Sequence, residues 1–80
     1  MPKIKALDSK EIIKILESFG FNVVSQKGSH IKLTRKTAFQ KQVLTIPNHR
    51  NISKGTIKAI FNQSCRFISS EELEKFFYTE

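Results

Sequence analysis

Three short runs rich in β-branched residues lie one after another between Phe21 and Ile46, with connections of only a few residues. Phe21 to Gln26, His30 to Lys36 and Lys41 to Ile46 have the length and composition of strands. Lys27-Gly28-Ser29 supplies the first turn and Thr37 to Gln40 the second, so the strands form an antiparallel meander. Pro47-Asn48 closes the third strand, because proline has no N–H with which to continue a ladder. Thr37-Ala38-Phe39-Gln40 contains no glycine, which leaves the geometry of the second turn open.

Helical patterns flank this meander. Asp8 can cap a first helix, with Glu11 at the third helical position as in a capping box and Leu7 placed to staple onto Ile12. Ile12, Ile13, Leu16 and Phe19 follow the three-to-four spacing of one buried stripe, Lys10, Lys14 and Glu17 lie off it, and Gly20 ends the helix. Beyond the strands, Ser53 can open a second helix with Ile57, Ile60 and Phe61 as its apolar side and Ile52 outside the cap facing Ile57. That helix runs out at Asn62-Gln63-Ser64-Cys65 without a terminating glycine. Ser69 and Glu72 make a capping box for a third helix, in which Ile68 faces Leu73 and the stripe is Leu73, Phe76 and Phe77. The predicted fold class is α+β in the order α-β-β-β-α-α, a three-stranded antiparallel sheet with helices on one face and the other face open. Apart from the extra short helix, this is the element order of double-stranded-RNA-binding domains, and residues 1–80 are expected to form one domain of that kind.

Charge narrows the choice of partner. The 80 residues hold 14 Lys and Arg against 7 Asp and Glu, a net +7. All seven acids lie near the two ends. Ser18 to Ser70 contains none, yet carries Lys27, Lys32, Arg35, Lys36, Lys41, Arg50, Lys54, Lys58 and Arg66. A polyanion fits such a stretch. Nucleic acid fits better than a membrane surface, which calls for a continuous basic amphipathic helix. The plainer alternative is that excess lysine only keeps a small protein soluble. One cysteine permits no internal disulfide, Pro2-Lys3-Ile4-Lys5 interrupts any signal-peptide core, and no run approaches a membrane span. The expected location is the cytoplasm.

Within the second strand Ile31 and Leu33 share one face, which leaves His30, Lys32, Thr34 and Lys36 on the other. An imidazole among ammonium groups suits phosphodiester cleavage without a metal. It can move the proton of a 2′-hydroxyl while the cations hold the developing phosphorane charge. Gly28, by its smallness, lets backbone N–H groups of the Lys27–Ser29 turn approach a phosphate. A surface histidine at a strand start is the alternative for His30. His49 is a second acid or base, a phosphate ligand, or a loop histidine that bonds its own turn. Ser53, Lys54, Gly55 and Lys58 open the second helix, where the dipole disfavours lysines. A phosphate on the free N–H groups, flanked by Lys54 and Lys58, relieves that conflict, and plain exposed lysines explain it equally well.

His30, His49 and Cys65 stand apart from one another and from the acids, so no metal site is expected. With glycines only at 20, 28 and 55, no nucleotide-binding loop and no cofactor are expected either. Cys65 reads as an inert small hydrophobe. Among the phenylalanines only Phe39, in a turn, looks free to stack on a base.

Taken together, Lys27-Gly28-Ser29-His30, Thr45-Ile46-Pro47-Asn48-His49 and Ser53-Lys54-Gly55-Thr56-Ile57-Lys58-Ala59-Ile60 resemble the HicA, or YcfA-like, family of bacterial mRNA interferase toxins. The resemblance extends over nearly the whole chain, from the helix that leads into Gly20-Phe21 to the terminal helix. It implies a double-stranded-RNA-binding-like fold, ribosome-independent cleavage of mRNA, and neutralisation by a HicB antitoxin. It also places the family's catalytic histidine at His30, with Gly28 in the turn before it. Lys27, Gly28, Ser29, Lys32, Lys36, His49, Lys54 and Lys58 are then the expected RNA-binding residues. A catalytically silent RNA-binding module of the same fold is the runner-up, and a small basic ribonucleoprotein component, which needs no special histidine, is a third reading.

Overall fold

A computed structural model describes residues 2–79. Its elements are β1 (Lys3–Ile4), α1 (Ser9–Ser18), β2 (Asn22–Lys27), β3 (His30–Lys36), β4 (Lys41–Pro47), α2 (Lys54–Ser64), α3 (Ser70–Phe77) and β5 (Tyr78–Thr79). The predicted order holds, and β2, β3 and β4 form the antiparallel meander with β3 in the middle. Two short strands are added, β1 and β5, which pair with each other through Lys3 opposite Thr79 and Ile4 opposite Tyr78. Two residues carry no readable alternation, and the partners lie at opposite ends of the sequence.

Both strand ends near His30 differ from expectation by one residue. Lys27 belongs to β2 and pairs with His30, so Gly28 and Ser29 alone make the turn. Gly28 takes φ +55, a left-handed value at the first central position, where a two-residue hairpin needs it. A Cβ at Gly28 would meet nothing within 4 Å, so conformation and not crowding calls for glycine. Pro47 is the last residue of β4 rather than its stop, and lies opposite His30. An edge strand tolerates it. Thr45, two residues earlier, turns its N–H outward to Gln63 Oε1 at 3.3 Å, so the Pro47 nitrogen also points away from β3.

The other hairpin closes without any left-handed residue. Thr37 N–H donates to the Gln40 carbonyl at 2.9 Å. The Thr37 hydroxyl donates to that carbonyl at 3.1 Å and accepts from the N–H groups of Gln40 and Phe39 at 3.1 and 3.3 Å. A threonine side chain thus fixes a turn that the sequence leaves undefined.

At α1 the capping box forms in full: Glu11 N–H donates to Asp8 Oδ1 at 2.8 Å, and Asp8 N–H to Glu11 Oε1 at 3.1 Å. The helix ends in a Schellman motif, with Phe21 N–H to Leu16 O, Gly20 N–H to Glu17 O, and Gly20 at φ +95. Ser53 caps α2 by accepting from Thr56 N–H at 3.2 Å. Without a glycine, α2 unwinds through bonds from Arg66 to Gln63 and from Phe67 to Ser64. The Ser69 capping box does not form, since the Ser69 side chain makes no capping bond. The start of α3 rests instead on the Leu73 N–H bond to Ser69 O and on burial of Ile68 and Leu73, with Glu71 and Glu72 favoured by the dipole.

The helices cover one face of the sheet. Ile31, Leu33, Leu44 and Ile46 meet Ile12, Leu16, Ile57, Ile60, Phe61, Leu73 and Phe77 in one continuous core. Phe76, expected in the α3 stripe, is 40% exposed and packs only its ring against Phe19, edge to face at 5.6 Å. Arg35 shares the covered face and lies 4.8 Å over the Phe21 ring. Its guanidinium donates to Gln42 Oε1, Phe19 O and Phe67 O at 2.7–2.8 Å, tying the end of α1 and the α2–α3 connection to the sheet.

Candidate active site and nucleic-acid interface

Register assigns each side chain to a face. Opposite pairs Lys27↔His30↔Pro47, Ser25↔Lys32↔Thr45, Asn22↔Thr34↔Val43 and Lys36↔Lys41 share the open face. Lys27, His30, Lys32, Lys36 and Lys41 are all exposed there. Among the described residues the His30 ring has no hydrogen-bond partner, so it is uncommitted. Thr34, expected to be exposed, is 7% exposed. It sits mid-sheet, paired with Asn22 on one side and Val43 on the other, with Lys32 and Lys36 two residues away on the same face.

The sheet end that carries His30 is braced from α1. Asn48 N–H extends the β3–β4 pairing by donating to Ser29 O at 2.7 Å. The buried Ser9 hydroxyl accepts from His49 N–H at 2.6 Å and shares its proton between the carbonyls of Pro47 and His49, each at 2.7 Å. Ser9 N–H completes the set, donating to His49 O at 3.1 Å. Residues 47–49 are thereby pinned on one side to the His30 turn and on the other to the first turn of α1. Beside this brace is a cleft of about 440 Å³ lined by Asp8, Ser9, Lys10, Asn48, His49 and Arg50.

The expected site residues fall into three places. Lys27, His30, Lys32 and Lys36 share the open face, with Gly28 and Ser29 in the exposed turn at its end. His49 is exposed on the cleft wall, its backbone rather than its ring being held by the brace. Lys54 and Lys58 are exposed on α2, in the helical layer behind the sheet, and so are not part of the lysine face. Sequence reading missed two participants. Lys41 joins the face through its register with Lys36, which the parity of β4 signals once the hairpin is known. Ser9 had no local signal, because its partners lie about 40 residues away. Arg35, counted among the central cations, is turned inward and committed to three acceptors.

Burial, and then Glu74, push the Cys65 thiol up, which disfavours a thiolate. Among the described residues no three His, Cys, Asp or Glu side chains lie together as metal ligands. No helix there is long and apolar enough to cross a membrane.

The family model for the HicA toxin of bacterial toxin-antitoxin systems matches residues 9–64. The chain belongs to the HicA toxin family. The matched span begins at Ser9, includes the whole β2–β4 sheet with His30, and ends with α2, so the HicA match contains the brace and the lysine face together. Membership makes the chain the toxin of a toxin–antitoxin pair, from a family of nuclease toxins, with an antitoxin as partner. No curated protein and no solved structure gives a significant match.

Proposed function

We propose that this HicA-family toxin is a metal-independent endoribonuclease, an mRNA interferase, that acts in the cytoplasm and is silenced by a HicB-like antitoxin. The observation that carries this reading is the uncommitted His30 ring on a sheet face whose other charged groups are all lysines. His30 takes the proton of a 2′-hydroxyl as that oxygen attacks the adjacent phosphorus. The His30 imidazolium then returns that proton to the 5′-oxygen as the P–O5′ bond breaks, giving a 2′,3′-cyclic phosphate and a 5′-hydroxyl. Lys27, which pairs with His30, and Lys32, two residues along the strand, hold the charge that builds on the phosphorane. Gly28 and Ser29 leave the turn open to a phosphate, and Lys36 extends the grip on the RNA. His49, Lys54 and Lys58 serve as outlying RNA contacts.

Gel-resolved cleavage of an unstructured RNA in excess EDTA tests the proposal. Wild-type protein should cut and leave cyclic phosphate ends, and His30→Ala should lose roughly 10²-fold or more in rate. A substrate with deoxyribose at the scissile position should resist. Magnesium-dependent cutting, or His30→Ala at wild-type speed, overturns the mechanism. RNA binding with no cleavage by the wild-type protein would favour a silent RNA-binding module.

A further inference from the structure

We infer that Phe39 is a base-stacking platform, a second RNA subsite at the far end of the lysine face from His30, selective for single strands. The inference rests on the RNA reading above and adds to it where the substrate goes after the scissile phosphate. Phe39 is 97% exposed, the most exposed of the large hydrophobics, at the tip of the β3–β4 hairpin. The tip is not slack: the Thr37 hydroxyl binds the N–H groups of both Phe39 and Gln40, which fixes the backbone that presents the ring. An aromatic ring held in water on a fixed turn contributes nothing to the core.

The charges at its base point to the ligand. Lys36 and Lys41 are register partners, directly opposite one another on the same face as His30. Like charges in that relation destabilise a sheet, and an anion over the pair removes the conflict. From His30 to Lys36 the strand runs about 20 Å, at roughly 3.3 Å per residue. Lys32 lies between them on the same face. A polyanion laid from His30 along Lys32 to the Lys36–Lys41 pair therefore brings its next unit to Phe39. Only an unpaired nucleotide offers a π-face there, because bases in a duplex are already stacked on their neighbours.

The chain has no tryptophan, so Phe39→Trp supplies a single reporter at this position. In a His30→Ala background, which leaves RNA intact, an unstructured RNA should quench the fluorescence of the introduced indole. An abasic oligomer with the same backbone should bind through charge without quenching. Phe39→Ala should weaken binding of the unstructured RNA by roughly tenfold, the order of one lost stack, and leave binding of the abasic oligomer unchanged. Phe39→Trp should keep the affinity of the parent. Equal quenching by both oligomers, or equal affinity of Phe39→Ala and the parent for unstructured RNA, overturns the subsite. Loss of antitoxin binding in Phe39→Ala with RNA affinity intact also overturns it, by assigning the ring to a protein contact. Failure of the wild-type protein to bind any RNA strikes the underlying reading instead, and is told apart because the abasic oligomer fails too.

Discussion

Arg35 and Gln42 are register partners on the covered side of the sheet, and the Arg35 Nε–H donates to Gln42 Oε1 at 2.8 Å. The same guanidinium holds Phe19 O and Phe67 O, a three-way fork that an ammonium cannot reproduce. Arg35→Lys should therefore cost about 2–3 kcal/mol in urea unfolding. Because the charge is turned away from the open face, RNA affinity per folded molecule should stay close to wild type. A loss of affinity with stability unchanged would place Arg35 on the RNA.

Ser9 is not itself an expected RNA contact, yet it holds the segment that pairs with His30. Ser9→Ala removes the buried hydroxyl that serves the His49 N–H and the carbonyls of Pro47 and His49, which should lower stability by about 1–2 kcal/mol. The further expectation is kinetic. The cleavage rate at saturating RNA should drop while KM changes little, since the lysines remain in place. Ser9→Thr, which keeps the hydroxyl, should recover part of the rate. If KM rises and the saturated rate is kept, the brace serves binding rather than the geometry at His30.

Salt dependence separates the lysine face from diffuse attraction. Each phosphate contact on single-stranded RNA contributes about 0.7 to the slope of log affinity against log salt. Lys32→Gln with Lys36→Gln should flatten that slope by roughly 1.4. Lys10→Gln with Lys14→Gln, on α1 among acids, should change it far less. Titrations across several salt concentrations read both, and equal flattening by the two pairs would remove the defined track.

Under the proposed silencing at His30, the antitoxin meets the same charge. An acidic protein that covers His30 or its approach should associate more slowly as salt rises, with dissociation changing less. Lys32→Glu with Lys36→Glu should cut the association rate markedly, as followed by stopped-flow mixing. An unchanged rate would move the antitoxin interface off this face.

The strands, the helices and the parity of β3 were legible because each is a local pattern: alternation around Ile31 and Leu33, capping by Asp8 and Ser53, a glycine turn ahead of His30. The misreadings of Thr34 and Arg35 share one cause, which is that their reasons lie elsewhere in the fold. Thr34 reads as exposed until its neighbours in register are known. Arg35 reads as a free cation until Phe19 and Phe67 arrive beside it. The Ser69 box had the right residues but does not close, and the glycine-free hairpin closes through a hydroxyl that no turn motif singled out. His30 was marked by its residue type and parity, whereas the brace behind it could be read only from three-dimensional contacts.

The Ser9 brace also bears on synthesis. Its two sides are separated by some 40 residues, half the chain, so a growing polypeptide has no framed His30 until His49 has left the ribosome and found Ser9. Contacts of such long span are slow to form, because the loop between them must close first. Under the proposed mechanism a nascent chain therefore spares the message that encodes it, and its hazard begins only once the translated polypeptide closes on itself.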